Sequence, residues 1–200
     1  GVTYQLKKKI KLIGDKSLSK RDFLRVTLPL KKFGAQFNGS KNLPIEMKGL
    51  ENPRSINYLE KKGSAQCKTT IMFAALKSKG LTTIKAKKSR DHTELMFRSL
   101  KIPIQIKKND KKFDQIKIYG VKKINPLNYK IPGDISSCAF FIVLTLLSKN
   151  SELLIKNINV NPTRIGIIKI LKMMGGSIKF LNKKTYKGEK ISDILIKSSK

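Results

Sequence analysis

Two stretches of the chain, CKTTIMFAALKSKGLTTI at residues 67–84 and CAFFIVLTLLSKNSELLI at residues 138–155, follow one pattern at an offset of 71 positions. The offset aligns residues of the same type: Cys67 with Cys138, Leu76 with Leu147, and Ile84 with Ile155. Each stretch starts as an apolar, helix-like segment and ends as a strand-like one after a short polar turn. Because the spacing exceeds the usual period of a solenoid, we expect each copy to form part of a compact lobe.

Around these stretches, the periodicity extends each copy to the order strand, helix, strand, helix, strand, strand, written βαβαββ. The elements predicted for the first copy are strand 56–60, helix 64–79, strand 81–85, helix 91–100, and strands 102–107 and 115–119. Those predicted for the second copy are strand 128–131, helix 135–148, strand 152–158, helix 162–174, and strands 177–181 and 193–197. Alternating helices and strands indicate an α/β or α+β fold and argue against a helical bundle or a β-sandwich.

The residues before Arg54 resemble the back half of an earlier copy. Their predicted elements are strand 10–14, helix 20–33 with a kink or early stop at Pro29 and an end at Gly34, and strands 35–38 and 45–48. Between the two copies, the polar segment 121–130 and Pro132-Gly133 have the turn chemistry of a lobe boundary. We therefore expect residues 1–130 to hold one and a half units of a first lobe, and residues 131–200 one unit of a second.

The composition is strongly basic, with 44 Lys+Arg against 13 Asp+Glu in 200 residues and a formal net charge of +31. Such a charge first suggests nucleic acid, because neutralising phosphates releases counterions. Dedicated binders concentrate Arg and interleave it with aromatic residues, whereas this chain is 7% aromatic, has no Trp and spreads its Lys evenly. A Lys-rich solvated surface is the favoured interpretation, with a non-catalytic basic nucleic-acid-binding module as the alternative.

The two cysteines lie in apolar segments without the spacing of a zinc site or a redox pair, so we expect buried free thiols and no metal. The longest apolar run, 138–147, is much shorter than the roughly 20 residues that span a bilayer. No signal peptide precedes the first strand. These features predict a cytoplasmic protein without a membrane partner.

Several predicted helices open with a residue that accepts hydrogen bonds from the N–H groups of the first turn. These residues are Ser64, Asp91 with Glu94 at capping-box spacing, Asp134, and Asn161 before Pro162. Arg21 and Arg90 adjoin such helix ends, and a guanidinium clamps carboxylate or phosphate through paired hydrogen bonds. Plain capping and surface ion pairs explain each feature singly. Together they indicate a protein that binds small anions at helix N-termini.

His92 is the one histidine of the chain, and we expect it to be a solvated or capping residue without a catalytic role. No two carboxylates are spaced as an acid and base pair, and no Gly-rich phosphate loop is present.

Five strings together resemble a known family. They are GDKSLSKR at 14–21, SAQCK at 64–68, SRDHTE at 89–94, PGDISS at 132–137 and NPTR at 161–164. In this order, over essentially the whole chain, they resemble the bacterial 3-phosphoshikimate 1-carboxyvinyltransferases, or EPSP synthases. The resemblance implies the two-lobed enolpyruvyl transferase fold, in which each lobe has three βαβαββ units.

By this resemblance, the function is transfer of the carboxyvinyl group of phosphoenolpyruvate to the 5-hydroxyl of shikimate 3-phosphate. Phosphate leaves through a tetrahedral addition and elimination, in the shikimate pathway of aromatic amino acid biosynthesis. The resemblance implies no cofactor, two anionic small-molecule substrates, and a monomer when full length. The sister transferase acting on UDP-N-acetylglucosamine is the nearest enzyme alternative, but the string at 89–94 fits it poorly.

The resemblance also implies roles for individual residues. Ser64, Ala65 and Gln66 correspond to residues that hold shikimate 3-phosphate, and Gln66 also lies toward phosphoenolpyruvate. Arg90 corresponds to a residue that contacts the shikimate part, and Arg21 to one that clamps phosphoenolpyruvate. The family usually has Pro directly after the latter arginine, where this chain has Asp22.

The family's amino-terminal Lys-Ser-Arg motif, its Asn- and Gly-containing phosphoenolpyruvate motif and its carboxy-terminal acid and base residues have no match in these 200 residues. The chain also begins at Gly1 without an initiator Met. We therefore expect a central fragment of a family member, without catalytic acid/base residues and inactive on its own.

Overall fold

In this computed structural model, the described residues are 9–49, 52–108 and 112–199. The chain divides into two compact units, one comprising Gly1–Ser89 and Leu100–Asn125, the other Arg90–Ser99 and Pro126–Lys200. Each is an α/β unit in which helices cover one face of a sheet, so the predicted fold class is confirmed. The predicted lobe boundary after Lys130 stays a prediction.

The first unit contains two sheets and three helices in the described residues. In chain order its elements are β1 (Lys9–Leu12), α1 (Lys16–Ser19), α2 (Leu24–Phe33), β2 (Gln36–Asn38), β3 (Ile45–Lys48), β4 (Asn57–Glu60), α3 (Ala65–Ala75), β5 (Leu81–Lys87), β6 (Ile104–Lys108) and β7 (Phe113–Tyr119). Strands β1, β3 and β2 form an antiparallel sheet. The other sheet has the order β4-β5-β7-β6, with β4 and β5 parallel and joined by α3.

Helix α2 differs from its predicted extent at its start and at Pro29. The predicted helix began at residue 20, but the Asp22 carboxylate accepts a hydrogen bond from Leu24 N at 2.7 Å, and α2 begins there. Pro29 was expected to kink the helix or to stop it early, and the early stop is wrong, because α2 continues to Phe33. Pro29, Leu30 and Phe33 are buried in the unit where α2 packs against α3, and this burial offsets the lost backbone hydrogen bond. Gly34 ends the helix with a φ of 109°, as predicted.

The second unit contains one antiparallel sheet and three helices in the described residues. In chain order its elements are α4 (His92–Ser99), α5 (Ile135–Leu147), β8 (Glu152–Asn159), α6 (Gly166–Met173), β9 (Ser177–Tyr186) and β10 (Glu189–Lys197). The sheet order is β8-β10-β9. Lys187 and Gly188 form a two-residue hairpin loop between β9 and β10, both with positive φ, as a type I′ turn requires.

The two copies share one sheet order, in which β5-β7-β6 of the first corresponds to β8-β10-β9 of the second. A parallel bridge joins Gly133 to Ile158 of β8 at the position that β4 occupies beside β5 in the first unit. The predicted strand 128–131 is wrong, because these residues form no strand and the bridge lies beyond them, at Gly133. Pro132 has no N–H to donate to a ladder, and Ile131 is 84% exposed and packs against no partner strand.

Isoleucines dominate the core of the second unit, where α5 and α6 pack on the sheet. The cluster consists of Ile135, Ile142, Leu146, Ile158, Ile168, Ile178, Ile194 and Ile196. Both cysteines are free thiols, Cys67 buried and Cys138 half-buried. Among the described residues, none of the helices combines the length and the hydrophobicity that crossing a bilayer requires.

Candidate functional site

The N-terminus of α3 has the capped geometry that the sequence predicted. Ser64 is the N-cap residue, and its Oγ accepts a hydrogen bond from Cys67 N at 3.2 Å. Its carbonyl oxygen accepts the first intrahelical bond, from Lys68 N at 3.1 Å. The N–H groups of Ala65 and Gln66 precede that bond, so helix geometry gives them no intrahelical acceptor. They and the helix dipole favour a negatively charged group at this end of α3.

A buried carboxylate holds the loop that leads into α3. Glu60, at the end of β4, is only 4% exposed. Its two carboxylate oxygens accept hydrogen bonds from Lys62 N at 3.0 Å and from Gly63 N at 2.8 Å. Gly63 has a φ of +71°, a conformation that glycine adopts without strain. Glu60 therefore determines the path of the backbone just before Ser64.

Ser64 lies on the wall of a cavity of 610 Å³ in the first unit. Three cationic side chains, Arg25, Lys61 and Lys62, and two carboxylates, Asp22 and Glu60, also line it. Its apolar wall includes Leu24, Leu28 and Leu59. The cavity thus combines cationic and apolar surface next to a helix N-terminus, a combination suited to an anionic small molecule with a carbon skeleton.

Tyr58 and Cys67 pack together on the same wall, with Oη and Sγ 4.0 Å apart. Burial raises the pKa of Tyr58 to about 12, and the nearby Cys67 and Glu60 add to this shift. Burial also raises the pKa of the Cys67 thiol, against a smaller opposing effect of the hydrogen bond with Tyr58. Both groups are therefore neutral at pH 7, so the negatively charged side chains that line the cavity are the carboxylates.

Arg21 is exposed on the turn between α1 and α2 and is not among the residues that line this cavity. Its backbone is fixed, because its N–H donates to Leu18 O at 3.0 Å and its carbonyl accepts from Asn42 Nδ2 at 3.2 Å. Asp22 directly follows it, lines the cavity and accepts a hydrogen bond from the N–H of Leu24, the first residue of α2. The structure therefore brings Ser64 together with residues adjacent to Arg21 in sequence. Gln66 is exposed on the first turn of α3.

Arg90 belongs to the second unit and is exposed directly before α4. Asp91 is the N-cap residue of α4, because its carbonyl oxygen accepts the first intrahelical bond, from Leu95 N at 3.1 Å. The next residue, His92, was expected to be solvated or capping. Instead, its Nδ1 lies 2.6 Å from Oε1 of the buried Glu189.

A second cavity, of 240 Å³, lies within the second unit and is lined by His92, Tyr129, Asp134, Asn159, Arg164 and Glu189 among others. Arg164 Nη2 donates to Asp134 Oδ1 at 2.6 Å and to Ser136 Oγ at 2.5 Å. Asp134 was expected to cap α5, but its carboxylate makes no capping hydrogen bond to the backbone and pairs with Arg164. In the parts of the chain that the structure describes, no group of three or more His, Cys, Asp or Glu side chains could hold a metal ion.

Sequence reasoning missed two residues that shape these sites, Glu60 and the role of Asn161. The signal for Glu60 was available, since an acidic residue at the end of a strand precedes a Lys-Lys-Gly loop. Asn161 was assigned as a helix cap, but α6 begins at Gly166, and the Asn161 side chain accepts from Thr163 N at 2.8 Å in the preceding turn. Its other partners are 70 and 28 residues away, a separation that no local pattern encodes.

Comparisons with known proteins place these observations in a family context. The family model described as EPSP synthase (3-phosphoshikimate 1-carboxyvinyltransferase) matches residues 1–198. A curated protein from Petrotoga mobilis is 43% identical over 193 residues, covering 94% of this chain and 44% of that protein. One from Caldicellulosiruptor saccharolyticus is 44% identical, with the same coverage. Both are named 3-phosphoshikimate 1-carboxyvinyltransferase.

Solved structures agree with the relatives. An EPSP synthase from Acinetobacter baumannii aligns with a TM-score of 0.80 at 34% identity, covering 96% of this chain and 43% of that one. The enolpyruvyl transferase NikO from Streptomyces tendae aligns with a TM-score of 0.61 at 10% identity, a likeness of fold alone. The chain thus spans less than half the length of the relatives that it matches.

Proposed function

The chain belongs to the EPSP synthase family, and we propose that it takes part in transfer of the carboxyvinyl group of phosphoenolpyruvate to shikimate 3-phosphate. The group is transferred to the 5-hydroxyl, and phosphate is released. The relatives whose names state this activity are more than twice as long as this chain. Residues outside these 200 therefore supply the proton transfers in the proposed enzyme, and this chain supplies substrate-binding groups.

The observation that carries the proposal is the capped N-terminus of α3 beside a cationic cavity. Ser64 lines the cavity with Arg25, Lys61 and Lys62, and the N–H groups of Ala65 and Gln66 have no intrahelical acceptor. A phosphate monoester matches this arrangement, because its oxygens accept hydrogen bonds from backbone N–H groups and its charge is favoured by the helix dipole. In the proposed role, Ser64, Ala65 and Gln66 bind the phosphate of shikimate 3-phosphate.

The roles proposed for the other substrate-binding residues are those of the corresponding residues in the same family. Gln66 extends toward phosphoenolpyruvate, Arg21 clamps its carboxylate or phosphate, and Arg90 contacts the shikimate part. Arg21 and Arg90 are both exposed residues, and the fixed fork of an arginine suits planar, bidentate recognition of such anions, which supports these roles. The proposed enzyme is a cytoplasmic monomer in its full-length form that binds neither nucleic acid nor membrane. Its two free cysteines and the even spread of its lysines agree with this.

A chimera provides the test of activity. In the Petrotoga mobilis relative, the segment that matches this chain is replaced by this chain, and phosphate release from phosphoenolpyruvate is measured with and without shikimate 3-phosphate. We expect turnover that depends on both substrates. We expect none from the 200-residue chain alone. A chimera that is folded and inactive, or a lone chain that turns over, contradicts the corresponding part of the proposal.

Variants at Ser64 test the residue assignment in the same chimera. Ser64→Ala removes the hydroxyl that receives the phosphate, and we expect kcat/KM for shikimate 3-phosphate to fall about 10-fold or more, as one lost charge-assisted hydrogen bond implies. Ser64→Thr retains the hydroxyl and should stay within a few-fold of the unsubstituted chimera. Ser148→Ala is the matched control, since it removes a comparable bond, from Ser148 Oγ to Leu144 O at 2.8 Å in the second unit. An equal loss in both Ala variants would assign Ser64 a structural role only.

A further inference from the structure

Four polar side chains form a connected network inside the second unit, and the proposed function leaves them without a role: Asp91, His92, Asn161 and Glu189. Asn161 is the centre of the network and is 1% exposed. Its Nδ2 donates to Asp91 Oδ1 at 2.8 Å and to Glu189 Oε2 at 3.3 Å. The other oxygen of Glu189 pairs with His92. The carboxylates of Asp91 and Glu189 thus both accept hydrogen bonds from the buried side-chain amide of Asn161.

The orientation of the Asn161 amide is determined by its surroundings. Its Oδ1 accepts hydrogen bonds from Thr163 N at 2.8 Å and from Thr163 Oγ1 at 2.7 Å. Because a backbone N–H can only donate, the amide oxygen must face Thr163 and the amide nitrogen must face the carboxylates. A buried amide that meets all its partners holds one geometry, since any displacement leaves a buried polar group unpaired.

The network acts on the start of α4, where Arg90 lies. Asp91 caps α4 through its backbone carbonyl, while its side chain is tied to Asn161. His92, the first residue of α4, is tied to Glu189 at the start of β10. Two consecutive residues are therefore anchored at separate points of the same network. Arg90 precedes them by a single peptide unit, about 3.8 Å between Cα atoms, so anchoring these two residues restrains the position of the Arg90 Cα.

We propose that Asp91, His92, Asn161 and Glu189 are positioning residues that hold the backbone of Arg90 in the orientation in which its guanidinium binds the phosphorylated substrate. The inference rests on the proposed function for the identity of that substrate. A guanidinium recognises an anion through a directional fork, so its affinity depends on where its backbone points. The network touches no substrate itself. It acts through Arg90.

The experiment uses the 200-residue chain labelled with ¹⁵N. Shikimate 3-phosphate is titrated while the backbone N–H and the Nε–H of Arg90 are followed by NMR. Asp91→Ala removes the acceptor of Asn161 without burying a charge, and Asp91→Asn restores an acceptor in the same place. Asn161→Asp tests the other end of the same bond. Asn182→Asp is the matched control, because Asn182 Nδ2 also donates to a carboxylate, that of Asp193, at 2.8 Å in the same unit.

We expect the apparent Kd to rise about fivefold in Asp91→Ala, the size of one lost buried hydrogen bond. It should rise more in Asn161→Asp, which loses the bonds to both Asp91 and Glu189 and places a third carboxylate beside them. Asp91→Asn and Asn182→Asp should stay within about twofold of the unsubstituted chain. The double variant Asp91→Ala/Asn161→Asp should lose less than the two single losses combined, because both act on one bond. Unchanged affinity in folded Asp91→Ala, or an equal loss in Asn182→Asp, would overturn the inference.

A ligand-free measurement separates this inference from the proposed function. Backbone ¹⁵N relaxation should report residues 90–93 as rigid in the unsubstituted chain, with order parameters of about 0.85, and as mobile in Asp91→Ala, below about 0.6. If shikimate 3-phosphate shifts no resonance of Arg90 but this loosening occurs, the proposed substrate is wrong and the positioning of Arg90 stands. If residues 90–93 stay rigid in Asp91→Ala, the positioning is wrong whatever the substrate.

Discussion

Nδ1 of His92 lies 2.6 Å from Oε1 of Glu189, a residue 97 positions later in the chain. Burial alone would raise the pKa of Glu189, but hydrogen bonds from His92, Asn159 and Asn161 outweigh it and hold the pKa below its usual value of 4.5. A carboxylate whose pKa is lowered by folding stabilises the protein above its unfolded pKa. That contribution is lost as the pH falls through the lower pKa of the folded state. We therefore predict that Glu189 contributes to acid unfolding below pH 4.5.

Urea unfolding between pH 7 and pH 3 measures this contribution. In Glu189→Gln the group no longer titrates, so the free energy of unfolding should be lower at pH 7 and should fall less steeply below pH 4.5 than in the unsubstituted chain. Glu152→Gln is the control, since Glu152 and its partner Lys197 are both more than half exposed and such pairs contribute about 0–1 kcal/mol. Parallel pH profiles for the unsubstituted chain and Glu189→Gln would contradict the prediction.

Replacing Glu60 with a neutral residue should lower the free energy of unfolding more than the same replacement of Glu46. The two carboxylate oxygens of Glu60 receive two backbone N–H groups, from Lys62 and Gly63. Glu60→Gln offers one acceptor, so one partly buried N–H faces an amide NH₂, at a cost of about 1 kcal/mol in the free energy of unfolding. Glu46→Gln in β3 keeps an acceptor for its partner Asn38 and should cost less than about 0.5 kcal/mol. Equal costs would show that Glu60 does not hold the loop.

Tyr58 should ionise well above pH 10.0, the usual pKa of a tyrosine. Its pKa of about 12 follows from burial first and from Cys67 and Glu60 second. Because folding raises this pKa, its contribution to stability is complete below pH 10 and is lost as the pH rises toward 12. Tyrosinate absorbance during alkaline titration measures the step. Tyr58→Phe should remove it and Tyr119→Phe should leave it; a step near 12 that survives in Tyr58→Phe would refute the assignment.

Local pattern was sufficient for the elements that carry the repeat. Helices α3 and α5 and strands β5 and β8 lie where a shared pattern 71 residues apart predicted them, because an apolar helix and an apolar strand each have a periodicity of their own. The first strand of the second copy was wrong, because residues 128–131 form no strand and only the bridge at Gly133 follows them. The predicted start of α2 was also wrong. The helix begins at Leu24, whose N–H donates to Asp22, but the polar residues before Leu24 leave the start of the helix ambiguous in the sequence.

The site was predictable only where its chemistry is local. Ser64 is found as the cap of α3 because capping joins residues three apart. Glu60 acts over two and three residues and could have been recognised. The role of His92 could not, since its partner Glu189 lies 97 residues later in the chain. The same long-range folding brings Asn161 between Asp91 and Glu189, so the buried network has no signature in a single sequence.

Gly120 should tolerate no side chain. A Cβ there would lie 2.2 Å from the carbonyl oxygen of Ser78, and this atom belongs to backbone that the neighbouring bond from Val121 N to Leu76 O holds in place. Gly120→Ala should lower the free energy of unfolding by about 1–3 kcal/mol. Gly166→Ala is the control, because no atom lies within 4 Å and alanine favours the helix that begins there. Thermal unfolding should show a lower Tm for the first variant only.

Substitutions of Asp22 can separate two effects, that of its charge beside the Arg21 guanidinium and that of its hydrogen bond to the start of α2. Its carboxylate accepts from Leu24 N at 2.7 Å, which explains how the chain accommodates Asp where the family usually has Pro. Asp22→Asn keeps the accepting oxygen and removes the charge, so we expect unchanged stability and about twofold tighter binding of phosphoenolpyruvate at Arg21, the size of one screened, exposed charge. Asp22→Ala also removes the charge but loses the hydrogen bond with Leu24 N, which costs about 0.5–1 kcal/mol of stability.

Titration of phosphoenolpyruvate, followed at the Nε–H of Arg21, measures binding, and urea unfolding measures the contribution of the hydrogen bond. Asp15→Asn is the matched control, since Asp15 caps α1 through Leu18 N at 2.7 Å and lies six residues before Arg21. Asp15→Asn should leave both the free energy of unfolding and the affinity for phosphoenolpyruvate close to those of the unsubstituted chain. If Asp22→Asn binds no tighter than the unsubstituted chain while its stability is retained, the charge of Asp22 does not act on Arg21. The hydrogen bond to Leu24 N would then be its entire contribution, and the usual Pro and this Asp would be alternative ways to begin the same helix.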